Sequence, residues 1–160
     1  MVLVEVERIR ESVDSRRLSH LLWEVGAYST LLSETALAST SLTPATAGAL
    51  DVIAANPGTS IAEMARRLPT SAQGVSQLVA KLEALGFVER QLGERGHGVA
   101  LYVTESGEEA RLEADERKRT LEEELSSALG QRDYDRLVQL LTRARPLLAG
   151  KAEEHRTAGK

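Results

Sequence analysis

Residues 60–104 read SIAEMARRLPTSAQGVSQLVAKLEALGFVERQLGERGHGVALYVT, and the spacing of the apolar residues changes within this segment. Ser60 and Glu63 match a capping box, in which each side chain bonds the other residue's backbone amide at the start of a helix. Pro69 ends this first helix at about residue 67, because the residue before a proline disfavours helical geometry. A second helix follows and stops at Gly86, a residue type favoured at helix C-termini. The first half of the segment therefore predicts two helices joined by a short turn.

The period of the apolar residues falls from about 3.6 to 2 after Gly86. This change predicts strands at 87–90 and 99–103, joined by the polar, glycine-bearing loop 91–98. Two helices, a tight turn and a hairpin form the plan of a winged helix-turn-helix. In that plan the second helix enters a DNA major groove and the hairpin tip reaches phosphates or the minor groove. The predicted contact between the two helices consists of Ile61, Ala65 and Leu68 against Val75, Leu78 and Leu82.

The residues before this segment predict one long helix and one shorter helix. Apolar residues recur at three- and four-residue steps from Val6 to Leu32, with a bend or a late helix start near residues 14–17. Thr43 can cap, and Pro44 can begin, a helix that ends at about residue 55.

The residues after the hairpin predict two more helices. Thr104 caps a helix over about 105–129, whose middle is charged on nearly every side and is therefore expected to span between packed bodies. A last helix is predicted over about 132–145, limited by Pro146. We expect the tail, residues 151–160, to be frayed.

The composition is that of one soluble globular domain, with 160 residues of which 42% are hydrophobic and 28% charged. The chain has no cysteine, which excludes disulfides and thiolate metal sites. No apolar run approaches the roughly 20 residues of a membrane span, so we expect a cytoplasmic protein that does not contact a membrane. The net charge of −4 argues against binding nucleic acid through bulk positive charge. Residues 57–104, with five basic and four acidic residues, are the only third of the chain that is not acidic.

Several segments together resemble the multiple antibiotic resistance regulator (MarR) family. They cover most of the chain, and their order and spacing make the resemblance specific although each segment alone is weak. The segments are Leu42-Thr43-Pro44-Ala45, Pro57-Gly58, Ile61 to Ala65, Val75 to Arg90, and Leu101 to Gly107.

The resemblance implies a mainly α protein with a small β-hairpin wing, built as a winged helix-turn-helix with long N- and C-terminal dimerisation helices. Residues 1–41 would form the N-terminal dimerisation helix, 42–104 the DNA-binding region, 105–150 the C-terminal dimerisation helices and 151–160 the tail. Such proteins are usually homodimeric repressors that small aromatic or phenolic ligands release from DNA. The long outer helices also point to a second copy, because their apolar stripes exceed what one small core can cover.

The resemblance also assigns candidate DNA contacts on the second helix. Gln can bond adenine in a bidentate manner and Ser can serve a phosphate or a base, but no arginine faces the groove. Gln73 could instead close a capping box with Thr70. The candidates on this helix are Ser71, Ala72, Gln73, Ser76, Gln77 and Lys81.

Further DNA contacts are expected in the wing and at one helix start. Arg95 is the candidate for minor-groove insertion, with Arg90 and His97 near phosphates; the alternative is that Arg95 is a solvated loop cation paired with Glu94. The helix N-terminus at Ser60 could offer backbone amides to a phosphate.

An effector site is predicted on the first helix. Trp23 could stack on an aromatic ring, while His20 or Tyr28 could orient a hydroxyl or carboxylate. The competing interpretation is that Trp23 and Tyr28 fill the dimer core. The three histidines are too dispersed for a zinc motif, so we expect no metal site and no cofactor.

The resemblance, together with these features, implies a ligand-responsive regulator, in the first instance a repressor, that binds a pseudo-palindromic operator as a homodimer. An enzyme is not expected, since the chain lacks a phosphate-binding loop, a dinucleotide fingerprint, a nucleophile elbow and an HExxH motif. The alternative is a winged-helix protein-interaction module that has lost DNA binding. A carrier or enzyme that uses the dimer cleft has only Trp23 in its favour.

Overall fold

A computed structural model describes residues 17–92 and 99–158. This part of the chain is mainly α with one small hairpin, as the sequence predicts. The helices are α1 (Leu18–Leu37), α2 (Pro44–Ala55), α3 (Ile61–Arg67), α4 (Ala72–Ala84), α5 (Glu105–Leu129) and α6 (Gln131–Ala158), and the strands are β1 (Val88–Leu92) and β2 (Val99–Val103).

The predicted capping signals start α2 and α3. The Thr43 side chain accepts from the Thr46 amide at 3.3 Å, and Pro44 occupies the first turn of α2. In α3 the Ser60 amide donates to a Glu63 carboxylate oxygen at 2.8 Å, and the Glu63 amide donates to Ser60 Oγ at 3.3 Å. These bonds satisfy amides that have no partner inside the helix, which explains why both helices begin where the sequence places them.

Helix α4 begins one residue later than the alternative capping box requires. Ser71 is its N-cap, with Ser71 Oγ accepting from the Gly74 amide at 3.1 Å. The capping box between Thr70 and Gln73 is therefore wrong, and Gln73 is exposed. A Cβ on Gly74 would overlap Thr70 Oγ1. The cost of a glycine in this helical turn is thus offset by the close packing of Thr70 against it.

The core of the winged helix-turn-helix joins α2, α3, α4 and β2. The predicted contact residues Val75 and Leu82 are fully buried, whereas Ile61, Ala65, Leu68 and Leu78 are only partly buried and pack around the edge. Met64, which the prediction omitted, is completely buried because it lies on the inner side of the short helix α3. The largest fully buried side chains are Leu37, Leu50, Ile53, Met64, Leu82, Leu101, Val75 and Val79.

The wing is an antiparallel pair in register from Val88 opposite Val103 to Leu92 opposite Val99. Strand β1 therefore includes two residues that were predicted to lie in the loop. The segment before α3 also pairs with β2, since the Leu101 amide donates to the Thr59 carbonyl at 2.9 Å. This bridge fixes the hairpin against the helices.

Helix α5 follows the prediction at both ends, and α6 does not. Thr104 caps α5 and Gly130 follows its last residue, as expected. Helix α6 continues through Pro146 to Ala158, so the predicted end at residue 145 is wrong and 151–158 is helical instead of frayed. A proline removes one amide donor from a helix. The helical spacing of side chains nevertheless continues beyond Pro146. Lys151 Nζ pairs with Glu154 Oε2 at 2.9 Å, three residues apart, and the apolar residues continue with Leu147 and Leu148.

Helix α1 starts at Leu18, close to the late start that the sequence allows near residues 14–17. The predicted stripe from Val6 to Val13 lies outside the described residues. Within α1 only Leu37 is buried, and large apolar side chains face outward along its length. Helix α1 therefore packs on the rest of this single chain mainly through its C-terminal end.

Candidate nucleic-acid interface

The exposed face of α4 carries the predicted groove contacts. Ala72, Gln73, Gln77 and Lys81 are exposed, opposite the buried side of the helix. Gln73 and Gln77 are four residues apart and lie above one another on this face. Lys81 is the only charged side chain among them, so the face presents amides and short side chains instead of a row of cations.

The candidate serines are already engaged within the protein. Ser76 Oγ donates to the Ala72 carbonyl at 3.0 Å, and Ser71 Oγ accepts from the Gly74 amide. Ser60 Oγ donates to Glu63 at 3.0 Å while its amide donates to the same carboxylate. These bonds lower the pKa of Glu63, chiefly through the Ser60 amide. The carboxylate at the start of α3 weakens the case for a phosphate there.

The wing strand β1 brings Arg90 beside α4. Arg90 Nε donates to Glu83 Oε1 at 2.7 Å and Arg90 Nη2 donates to Glu83 Oε2 at 2.9 Å. This bidentate pair raises the pKa of Arg90. Arg95 and His97, the other predicted wing contacts, lie outside the described residues.

Two cations that the sequence-based prediction left out lie at the end of α3. Arg66 and Arg67 occupy its last turn, immediately before the turn into α4, and both are exposed. Neither forms an ion pair within residues 17–92 and 99–158. The sequence signal that could have identified them is the pair of consecutive arginines in an acidic chain, next to the turn of the helix-turn-helix. They add exposed positive charge shortly before the start of α4.

A tight junction connects the end of α4 to the start of α5. Thr104 Oγ1 donates to the Gly86 carbonyl at 2.6 Å and accepts from the Gly107 amide at 3.0 Å. Gly86 has a φ of 74°, which favours glycine. A Cβ on Gly107 would overlap the Phe87 carbonyl oxygen. The backbone of α5 therefore lies directly against the chain that leaves α4.

The predicted effector residues lie on an open face of α1. The rings of His20 and Trp23 have centroids 6.0 Å apart, and His20 Nε2 lies 3.9 Å from a Glu24 oxygen. Trp23 is 70% exposed and Tyr28 57% exposed. A separate groove of about 440 Å³ lies between α1 and α5, farther along α1 than these residues. Its lining is Leu32, Thr35, Ala36, Arg117, Thr120, Leu121 and Glu124.

Comparison with known proteins finds a partial family match and similar solved structures. The family model described as MarR family matches residues 40–98, which run from the turn before α2 into the wing. The repressor CouR, solved bound to a 23-mer DNA duplex, superposes with a TM-score of 0.77 at 24% identity, over 82% of this chain and 94% of that one. The winged helix-turn-helix of this chain matches the MarR family, and the described residues have the winged-helix fold. It has the fold of transcriptional regulators.

Two further similar structures hold small molecules. A MarR family protein from Mycobacterium tuberculosis in complex with salicylic acid is 27% identical, with a TM-score of 0.65 over 80% of this chain and 98% of that one. The PcaV regulator from Streptomyces coelicolor, in complex with its natural ligand, is 18% identical, with a TM-score of 0.74 over 84% and 96%. A comparison with curated protein sequences found no match.

Within its described residues, this chain has no helix long and apolar enough to cross a membrane. The same residues contain no group of three or more histidine, aspartate or glutamate side chains placed to hold a metal ion.

Proposed function

We propose that this chain is a cytoplasmic transcriptional regulator, in the first instance a repressor, that binds a pseudo-palindromic operator as a homodimer and has no enzymatic activity. The observation that carries the proposal is the exposed face of α4 with Gln73 and Gln77, together with exposed arginines on two neighbouring elements. These are Arg66 and Arg67 at the end of α3 and Arg90 on β1. Amide side chains can read adenine edges, while the arginines can hold phosphates. CouR, which has the same fold, is bound to DNA in its structure.

The outer helices support a homodimer. Large apolar side chains on α1 and α6 are 40% or more exposed in the single chain, which is unusual for a soluble monomer unless a partner covers them. A two-fold dimer would place two recognition helices about 34 Å apart, the spacing of successive major grooves on one side of DNA. The exposed apolar residues on α6 are Leu137, Val138, Leu140, Leu141, Leu147 and Leu148.

An aromatic or phenolic effector would bind beside α1 and change the distance between the two winged helix-turn-helix units of the dimer. Trp23, His20 and Tyr28 are the proposed contacts, and the junction at Thr104 would transmit movement of α5 to α4. Salicylic acid is bound in one protein of the same fold, which supports a ligand of this class. The opposing interpretation, that Trp23 and Tyr28 only fill the dimer core, predicts no quenching of Trp23 by such ligands.

The test is a titration of the DNA upstream of this gene, with an unrelated duplex of equal length as the control. We expect tighter binding to the upstream duplex, and weakening of both complexes as salt increases. Gln77→Ala should reduce the preference for the upstream duplex, whereas Glu109→Gln on α5 should leave it unchanged. Equal binding to both duplexes would contradict an operator-specific function.

A second candidate function is a winged-helix module that binds a protein partner. The observation in its favour is the scarcity of cations on α4, where Lys81 is the only exposed one, and the engagement of Arg90 by Glu83. Arg95→Ala separates the two functions. DNA affinity should fall if the wing contacts the duplex, and an unchanged affinity would favour the interaction module.

A further inference from the structure

The ion pair of Glu83 with Arg90 connects the recognition helix α4 to the wing. Its two hydrogen bonds, at 2.7 and 2.9 Å, join side chains seven residues apart on different elements. The side chains are 29% and 40% exposed, so the pair lies at the surface and not in the core. Bidentate bonding to a carboxylate fixes the plane of a guanidinium as well as its position.

The pair leaves part of the guanidinium free. An arginine side chain has five N–H donors, and Glu83 accepts from two of them, one on Nε and one on Nη2. The other three have no acceptor in the described part of the chain. A planar group held on one edge by a carboxylate can donate from its opposite edge to a second anion.

The position of Glu83 on α4 indicates which kind of anion the free N–H groups of Arg90 would bind. Ser76 lies two helical turns before Glu83 and therefore on the same side of α4, next to the face that carries Gln73 and Gln77. The ion pair therefore holds Arg90 of β1 beside this side of α4. With α4 in a major groove, the nearest anion would be a backbone phosphate.

We propose that Glu83 is a positioning residue for DNA binding, which holds the Arg90 guanidinium so that its free N–H groups meet a backbone phosphate. The inference rests on the proposed DNA-binding function. Glu83 carries a charge that DNA repels, but Arg90 neutralises it within the pair. Holding the arginine before DNA arrives reduces the conformational entropy lost on binding.

The test measures affinity for the upstream duplex and the unrelated duplex over a range of salt from about 50 to 200 mM. Arg90→Gln should weaken binding to both and reduce the slope of log K against log salt by about 1 per subunit. Glu83→Gln should weaken binding about three- to tenfold while keeping the slope, because Arg90 keeps its charge. The double variant should resemble Arg90→Gln alone.

Glu89→Gln is the matched control. Like Glu83→Gln, it removes one negative charge, but from the residue that precedes Arg90 on β1. Glu89 accepts from the Gln91 side chain and not from an arginine. The DNA affinity of the Glu89→Gln variant should equal or slightly exceed that of the original protein. Thermal unfolding followed by circular dichroism checks that each variant is folded.

Two results for Glu83→Gln would overturn the inference while leaving the DNA-binding function intact. Unchanged affinity would show that Arg90 needs no positioning, and tighter binding with a steeper slope would show that Glu83 competes with DNA for Arg90. Failure of the original protein to bind either duplex would instead contradict the proposed function, and this inference with it.

Discussion

Single residues decide how closely the backbones of this protein approach one another. Gly107 is required because its α carbon lies against the Phe87 carbonyl, where any side chain would overlap. Glycine in the sequence signals flexibility or a turn, and only the packing of α5 on the chain after α4 shows that Gly107 serves contact instead. By contrast, a Cβ added at Gly48 would meet no atom within 4 Å.

We expect Gly107→Ala to lower the free energy of unfolding by about 1–3 kcal/mol, because the backbone must move to admit the methyl group. Gly48→Ala in α2 should raise the same free energy by about 0.5–1 kcal/mol, since alanine loses less entropy in a helix. Urea unfolding measures both. A neutral Gly107→Ala would show that the junction between α4 and α5 has room for a side chain.

Glu63 should make stability depend on pH. Its pKa in the folded protein is lowered by the Ser60 amide, so its contribution is present above the unfolded pKa and is lost as the pH falls through the folded value. Glu63→Gln removes this titration. The difference in melting temperature between the two proteins should therefore shrink from about pH 7 to about pH 3. A constant difference over this range would contradict the capping bond.

Between helices, ion pairs and a cap connect the winged helix-turn-helix to the long helix α5. Asp51 on α2 lies 3.3 Å from Lys118 Nζ and 3.7 Å from Arg111 Nη1, both on α5. Arg111 also pairs with Glu108 at 2.6 Å. Together with the bond of Thr104 to the Gly86 carbonyl, these contacts connect α2 and the chain that leaves α4 to α5.

Asp51→Asn should reduce the free energy of unfolding by no more than about 1 kcal/mol, because the pairs are partly exposed. We expect Asp51→Asn to affect DNA affinity more than stability. In a dimer, the angle between the winged helix-turn-helix and α5 sets the spacing of the recognition helices. Glu113→Gln is the control, since its pair with Arg117 lies within α5. Equal DNA affinities for the two variants would show that Asp51 does not orient the winged helix-turn-helix relative to α5.

Helix α6 is the element on which the sequence-based prediction failed. Pro146 should terminate a helix on local grounds, but the helix continues for about three more turns. Pro146→Ala restores an amide donor and should stabilise the folded protein, by at most about 3 kcal/mol. No change in melting temperature would indicate that α6 ends before residue 146.

For the molecule in its entirety, the proposed homodimer would cover the exposed apolar faces of α1 and α6. Trp23 is the only tryptophan in the chain, so its fluorescence reports directly on α1. We expect its emission to shift to longer wavelength on dilution, as the dimer dissociates and the indole is exposed to water. An emission maximum independent of concentration, together with a monomeric mass, would contradict the dimer.

Leu141→Glu should dissociate the dimer, because it places a charge in the apolar face of α6. Gln139→Glu adds the same charge on the opposite side of that helix and should leave the dimer intact. Sedimentation equilibrium distinguishes the two outcomes.

The order of the elements and most of their ends could be predicted from the amino-acid sequence, because capping residues, prolines and the change of period act over a few neighbouring residues. Ser60, Thr43 and Thr104 are examples whose bonds were foreseeable. That Glu83 holds Arg90 and that Gly107 must lack a side chain became known from the packing of the folded chain alone. These contacts join elements whose separation along the chain carries no local signal, and they depend on how the helices pack.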